Sequence, residues 1–421
     1  MRTCIELAET RGAGPQTETE RFVSRVVLFE ELPTQCGALI SVATLNSEKT
    51  LNALSLEMVD LLAERLDAWA KDTKVVLVVL QAAGDKAFCA GGDLQVLYKT
   101  MLTHHAAANH GDPLGNTYAA EFFSREYRLD YLIHTYPKPV LCWGHGIVMG
   151  GGVGLMSGAS HRVVTERSRV AMPEISIGLY PDVGGSWLLS RVARNAGVFL
   201  ALTGAPLNAS DALFAGFAEY QLAQATKPEV MAGLATVQWT DSRADNDRLL
   251  GNLLRKFDTS RELGPGPLQT NLDLIGSICV QRDLQDIVSD IVRFEDEQPA
   301  CAASDAEPDP GKLWLKNAAK TLSAGSPGTA RLAFTLQQRA RNLSLAQVFR
   351  MEYIVSLHCA THTDFAEGIR ALLIDKDRQP HWNPASMGDA SAKWVEWFFE
   401  SPWAPAGHPL ADLDDQQHVD A

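Results

Sequence analysis

Residues 140–154 read Val-Leu-Cys-Trp-Gly-His-Gly-Ile-Val-Met-Gly-Gly-Gly-Val-Gly. A short run of core-type residues gives way to a glycine turn and then to an apolar stretch, so a strand ends here and a helix begins. Glycine at such a junction lets the backbone approach a ligand, and the unpaired N–H groups of a helix start favour an anion. The same plan occurs earlier in the chain. Residues 75–80 (VVLVVL) form a β-branched run without alternation, as expected of a strand covered on both faces. The turn Lys86-Ala-Phe-Cys-Ala-Gly-Gly-Asp93 follows it. One N–H from each turn, converging on one point, would make an oxyanion hole for a thioester or enolate. Taken singly, each turn is more readily a tight bend or a close helix crossing. Neither has the glycine spacing of a dinucleotide site.

A third stretch, Met172-Pro-Glu-Ile-Ser-Ile-Gly-Leu-Tyr-Pro-Asp-Val-Gly-Gly185, sets Glu174 and Asp182 among apolar and small residues. Acids in that setting are costly unless paired, solvated or used. Alone they read as structural carboxylates at turns or caps. Together with the two glycine turns they read as the acids of one site.

Working outward, residues 37–45 read as a strand. Residues 55–72 read as a helix capped by Ser55, with Met58, Leu61, Leu62, Leu66 and Trp69 on its apolar face. Residues 162–165 and 169–171 read as further short strands. Strand, turn and helix in repetition predict an α/β fold with a largely parallel sheet. From about residue 195 helical periods dominate. The expected organisation is a flexible tail over 1–20, an α/β core carrying the active site over 21–215, and a helical C-terminal region over 216–421. That region includes an exposed acidic connection at 295–311, a capping box at Ser344 and Gln347, and a frayed Pro- and Asp-rich tail from 404.

The formal net charge of −14, with Lys and Arg scattered, argues against nucleic acid or an anionic membrane surface as partner. No stretch approaches the roughly 20 apolar residues that span a bilayer. The seven cysteines form no CxxC pair and are odd in number, which suits a reducing compartment. The acids near the N-terminus speak against a transit peptide. A cytoplasmic location is the expectation. No His or Cys spacing suggests a metal site. His145 reads as a turn residue and Cys89 as a small apolar filler; Trp382 and Phe365 read as packing. Lys376 and Arg378 read equally as solvated charges or as contacts for an anionic ligand.

The turns FCAGGD and GIVMGGGVG and the MPE segment, in this order and at these separations, resemble the crotonase (enoyl-CoA hydratase/isomerase) superfamily. The stretches LNALSLEM (51–58), KAFCAGGD (86–93), FFSREYRL (122–129), LALTGAPL (200–207) and EGIRALLIDKDRQPHWNP (367–384) extend the likeness over roughly 25–390. They are similar to the branch that hydrolyses 3-hydroxyisobutyryl-CoA in valine breakdown. The resemblance implies a spiral of ββα units with a helical C-terminal region. It also implies an acyl-CoA substrate, no cofactor beyond the coenzyme A of that substrate, and no metal. Homo-oligomers occur in the superfamily, and the resemblance leaves one open here.

By position, the Gly92 and Gly151 amides match the oxyanion-hole donors, and Ala90 the backbone that meets the CoA adenine. Glu174 matches the principal catalytic carboxylate, acting as nucleophile or as general base. Glu126 and Asp182 match acids lining the substrate pocket, and the resemblance gives them the substrate's 3-hydroxyl to hold, with Asp182 also a catalytic residue able to handle protons. Hydratases of the superfamily carry a second glutamate just after the glycine triplet, where this chain has Gly154. That substitution favours hydrolysis over hydration or isomerisation. A non-catalytic acyl-CoA-binding member would be expected to lack Glu174 or one of the turns, and both turns and the acid are present.

Overall fold

A computed structural model describes residues 26–280, 283–296 and 309–413. The 75–80 run becomes strand β3 (Val75–Ala82), flanked by β2 (Leu39–Leu45) and β5 (Val140–Gly144), both parallel to it. Two parallel neighbours and two covered faces explain why the run lacks alternation. The large sheet has the order β1-β2-β3-β5-β7-β9. Its β1 (Val27–Pro33) is the antiparallel edge; β7 (His161–Val164) and β9 (Tyr220–Gln221) complete the other side.

Beside it lies a small parallel sheet, β4-β6-β8, made of Ala87–Cys89, Ile147–Met149 and Arg169–Ala171. The chain therefore alternates: β3 then β4, β5 then β6, β7 then β8, each pair placing one strand in each sheet. Helix α1 (Leu56–Lys71) precedes the first pair. Helices α2 (Leu94–His105) and α3 (Thr117–His134) separate the first pair from the second, and α4 (Gly151–Ser157) the second from the third. This is the crotonase-like α/β spiral, with helices continuing to the C-terminus. The Ser55 side chain caps α1 by accepting from Met58 N–H, as the sequence predicts.

The small sheet positions the site. Parallel neighbouring strands end on the same side, about 4.8 Å apart. Here β4 runs out into Gly91-Gly92, β6 into Gly150-Gly151 and β8 into Met172-Pro173-Glu174. The three sequence elements thus emerge side by side, although they are far apart in the chain.

The C-terminal helices from Leu268 onward share one apolar core with the α/β part, while the helices Lys227–Leu234 and Arg243–Leu254 pack in a second core with Ile40, Val42, Leu77 and Val79 of the large sheet. The helix Leu345–Thr361 opens with the predicted capping box at Ser344 and Gln347. It lies along α3, where Tyr353 Oη donates to the Ala120 carbonyl at 3.1 Å. Gly178 and Gly368 are sites of backbone-to-backbone contact between the Glu174 segment and the helix Thr363–Ile369. The expected frayed tail from 404 is corrected for its described part. Leu410 and Leu413 are buried in the core, and Arg128 on α3 clasps Asp412 at 2.7 Å. Two apolar anchors and an ion pair hold what composition alone marks as loose. Residues 1–20, and 297–308 of the acidic connection, lie outside the described residues.

Candidate active site

The two glycine turns meet. A Cβ built on Gly151 would stand 3.6 Å from the Gly92 nitrogen, so the turns face each other across van der Waals distance. Gly91 (φ +104°) and Gly150 (φ +49°) hold the bends in a region that L side chains rarely adopt. Gly151 is the first residue of α4, so its N–H lacks an intrahelical acceptor. Among the described residues, neither the Gly92 nor the Gly151 N–H donates to a protein acceptor. Ala90 lies on the same turn, but its N–H already donates to the Leu51 carbonyl at 3.1 Å. Only its carbonyl is left to meet a ligand.

Carboxyls surround this helix start. Glu174 Oε1 lies 3.0 Å from where a Gly150 Cβ would be, and Glu126 Oε1 lies 2.6 Å from the same point on Gly151. Glu126 belongs to α3, one turn before Asp130, whose Oδ2 lies 2.8 Å from a Cβ on Gly154. Asp182 completes the set, accepting from Tyr127 Oη at 2.7 Å. The structure thus brings Gly92, Gly151, Glu126, Glu174 and Asp182 to one place, with Ala90 at its edge. The sequence reading omits Asp130 and Glu352.

Glu352 reaches in from the helix Leu345–Thr361. It accepts from the N–H groups of Gly184 and Ser186 at 2.8 and 3.0 Å. These are donors at the start of the short helix Gly185–Leu189, where a carboxylate is well placed.

All five acids are buried, with Glu126 at 2% exposure, Glu174 and Asp182 at 5%, and Asp130 and Glu352 at 0%. Burial, reinforced by Asp182, raises Glu126 well above the ordinary carboxylate range. Burial also raises Glu174, with Asp182 again adding to it. Asp130 is raised by burial and by Glu126, and neither of its oxygens has a hydrogen-bond partner among the described residues. Burial moves Asp182 only to about 6, because the Tyr127 hydroxyl opposes it. Glu352 rises to about 8 through burial, against the Gly184 N–H. The value for Asp182 lies near the working range of an acid–base group.

A carboxyl raised in the folded state makes that state bind more protons than the unfolded chain. Its stability contribution is therefore present below the unfolded value and is lost as pH rises through the folded one. For Glu352 the loss runs from about 4.5 to about 8. The melting temperature is expected to fall between pH 6.5 and 8, and to fall less in Glu352→Gln; a flat or rising curve in that window would contradict the assignment.

Several single residues keep the roles read from the sequence. His145 is a buried turn residue whose Nε2 is 2.8 Å from the Gly84 carbonyl. Burial pushes the Cys89 thiol up to about 12, leaving it inert at neutral pH. Phe365 is fully buried, and Trp382 donates its indole N–H to the Ala324 carbonyl at 2.9 Å. Lys376 and Arg378 stand exposed on the turn after the helix Thr363–Ile369. A surface cleft of about 470 Å³ lies at the far ends of α3 and α4 around His134, Lys138 and Arg162, and none of the five acids lines it.

The enoyl-CoA hydratase/isomerase family model matches residues 40–399. The chain is similar to the mitochondrial 3-hydroxyisobutyryl-CoA hydrolase of Danio rerio, with 35% identity over 375 residues and 89% of each chain covered. The enzyme of that name from Homo sapiens is 30% identical, covering 88% of this chain and 89% of its own. Among solved structures, a carnitinyl-CoA dehydratase from Mycobacterium thermoresistibile matches at 32% identity and a TM-score of 0.74, covering 91% of this chain and 98% of its own. An enoyl-CoA hydratase from Rhodobacter sphaeroides follows at 31% and 0.71, covering 89% of this chain and 97% of its own.

The cytoplasmic expectation is corrected by the 3-hydroxyisobutyryl-CoA hydrolases among these relatives, which are mitochondrial by name. Free thiols suit any reducing compartment, so cysteine usage never separated the two. The shared spiral, the paired glycine turns and a family match across most of the chain agree: this protein belongs to the enoyl-CoA hydratase/isomerase family, the crotonase superfamily.

Proposed function

We propose that the chain is an acyl-CoA thioester hydrolase that converts 3-hydroxyisobutyryl-CoA and water to 3-hydroxyisobutyrate and CoA. At the coarser level it is a CoA-thioester-processing enzyme of the crotonase superfamily. The observation that carries the finer reading is the set of carboxyls around two unpaired glycine amides, with Gly154 where a hydratase would carry its second acid.

In this reading the thioester oxygen lies against the Gly92 and Gly151 N–H groups, which gain strength as that oxygen becomes an anion. Each such donor is worth roughly 3–4 kcal/mol in comparable sites. The start of α4 adds its own positive end. Glu174 delivers the attack, by adding to the carbonyl itself or by drawing the proton from water. Glu126 and Asp182 accept from the substrate's 3-hydroxyl. Acyl groups without that hydroxyl would leave buried acceptors unpaired, and so should be rejected. The Ala90 carbonyl is the backbone group on the CoA side.

One observation favours a second reading, hydration of an enoyl-CoA. Asp130 brings another carboxyl to the side of Gly154, so the site is not short of acids. Free-thiol release separates the two. Thiol should appear with 3-hydroxyisobutyryl-CoA and 3-hydroxypropionyl-CoA, and crotonyl-CoA should be left unchanged. Hydration of crotonyl-CoA without thiol release from the hydroxylated substrates would reverse the assignment.

A further inference from the structure

Asp182 is joined to the helix Leu345–Thr361 by an unbroken line of hydroxyls. Tyr127 Oη lies 2.7 Å from Asp182 Oδ2 and 2.7 Å from Ser356 Oγ. Ser356 Oγ lies 2.8 Å from Tyr180 Oη, which in turn donates to the Glu352 carbonyl at 2.7 Å. All of these side chains are buried. The line has four oxygen–oxygen contacts at hydrogen-bond distance.

Each contact requires one proton, and the three hydroxyls supply three. With Asp182 ionised, Tyr127 donates to it and Tyr180 donates to the Glu352 carbonyl. Ser356 can then serve only one of the two tyrosines, and the remaining contact sets lone pair against lone pair. With Asp182 protonated, every bond is filled in one direction: Asp182 to Tyr127, Tyr127 to Ser356, Ser356 to Tyr180, and Tyr180 to the carbonyl. The line therefore has a place for one more proton, and that place is on Asp182.

We propose that Tyr127, Ser356 and Tyr180 form a relay that lets Asp182 take up and return one proton in each turnover, with Ser356 as its positioning residue. This rests on the hydrolase reading above, where such a carrier is needed. Attack forms a C–O bond and moves the carbonyl π pair onto oxygen. Collapse restores the carbonyl and breaks the C–S bond, so sulfur leaves with the electron pair and takes the Asp182 proton. With Glu174 as the attacking group, water then adds to the acyl carbon, the acyl–oxygen bond to Glu174 breaks and returns its carboxylate, one water proton goes back to Asp182 and the other stays on the acid product. Thioester and water become acid and thiol, and Asp182 ends as it began.

The relay also gives the C-terminal region a chemical task. Ser356 and Glu352 come from the same face of one helix; the first sets the protonation of Asp182, and the second fixes the loop that carries it. The other titratable groups around Asp182 among the described residues are Glu126 and Asp130 from α3, Glu174 from the segment after β8, Glu352, and Cys359 two turns beyond it. When ionised, each of them favours the protonated form of Asp182.

The test exploits a difference in sign. Removing the Ser356 hydroxyl costs the protonated form two bonds and leaves it a buried Tyr127 donor with no acceptor, whereas the ionised form loses one bond and is relieved of its lone-pair contact. Ser356→Ala should therefore lower the Asp182 titration midpoint, by about one pH unit. Tyr127→Phe removes the donor that stabilises the anion, and should raise the midpoint. Ser356→Thr, which keeps the hydroxyl, should return it to the wild-type value. The readout is the infrared carbonyl band of protonated carboxyls in the substrate-free protein, titrated with pH and assigned by its loss in Asp182→Asn.

The pH profile of kcat should move with the band in each variant. Unchanged midpoints, or shifts of the same sign in Ser356→Ala and Tyr127→Phe, would overturn the relay. If Ser356→Ala does not fold, the near-isosteric Tyr127→Phe still decides, since an unchanged or lowered midpoint there is fatal. The infrared titration needs no substrate. Opposite shifts without any thiol release would remove the hydrolase reading and leave the relay standing.

Discussion

Glu174→Gln is expected to lower kcat for thioester hydrolysis by about 10²- to 10⁴-fold, the usual contribution of a positioned carboxylate. The fold should remain intact. Glu174 is buried at 5% exposure, and its Oε2 has no hydrogen-bond partner among the described residues. An ionised carboxyl there is destabilising unless substrate or a proton compensates it. Glutamine keeps the volume and removes the charge, so the melting temperature at pH 8 should be no lower than that of the parent. Affinity for CoA, proposed to meet the chain at the Ala90 carbonyl, should be largely retained. Turnover close to wild type would take the chemistry away from Glu174. Loss of activity together with loss of fold would show that the side chain is structural. The combination expected, an inactive protein of equal or greater stability, distinguishes an acid kept for function from one kept for packing.

What the sequence makes legible is local and periodic. The 75–80 run fixes a strand with two covered faces, and each glycine turn marks a strand-to-helix junction. What it hides is the small sheet that joins them. Strands of three residues, such as Ala87–Cys89 and Arg169–Ala171, carry too little pattern to show which neighbours they choose. The convergence of Gly92, Gly151 and Glu174 follows from the order β4-β6-β8, so from the residues alone it is reached only through resemblance. The edge strand Val27–Pro33 escapes notice because its exposed Glu30 and Glu31 break the apolar run.

Asp130 and Glu352 are invisible for a different reason. A carboxylate on a helix ordinarily reads as a solvated face. Asp130 is buried against Gly154 of α4, and Glu352 reaches the site because the helix Leu345–Thr361 packs against α3 from more than two hundred positions away. The hydroxyl line from Asp182 to the Glu352 carbonyl exists for the same reason. A single change in either helix would leave the motifs untouched and yet alter the protonation of the site.

Gly154 is the position at which resemblance and geometry can be tested against each other. The resemblance implies that a glutamate there would supply the second acid of a hydratase. The structure leaves no room for one, since a Cβ on Gly154 would lie 2.8 Å from both Asp130 Oδ2 and Val183 Cβ. Val183 cannot easily yield. It sits at φ +51°, uncommon for a β-branched residue, between Asp182 and a Gly184 whose N–H is held by Glu352. Gly154→Ala is therefore expected to cost about 1–3 kcal/mol, as overpacking of a filled core does. It should also lower kcat, because displacing Val183 displaces Asp182. Gly154→Glu adds a further buried acid to a cluster that already has five, and should fold poorly without gaining hydration of crotonyl-CoA. Truncating the neighbour should relieve half of the clash, so Gly154→Ala combined with Asp130→Ala should be less destabilised than the two single losses added together. Thermal unfolding of the three variants gives the coupling directly. Strict additivity, or a Gly154→Glu protein that folds normally and hydrates crotonyl-CoA, would show that Asp130 and Val183 do not fill this space, and the structural case for hydrolysis would lose its support at residue 154.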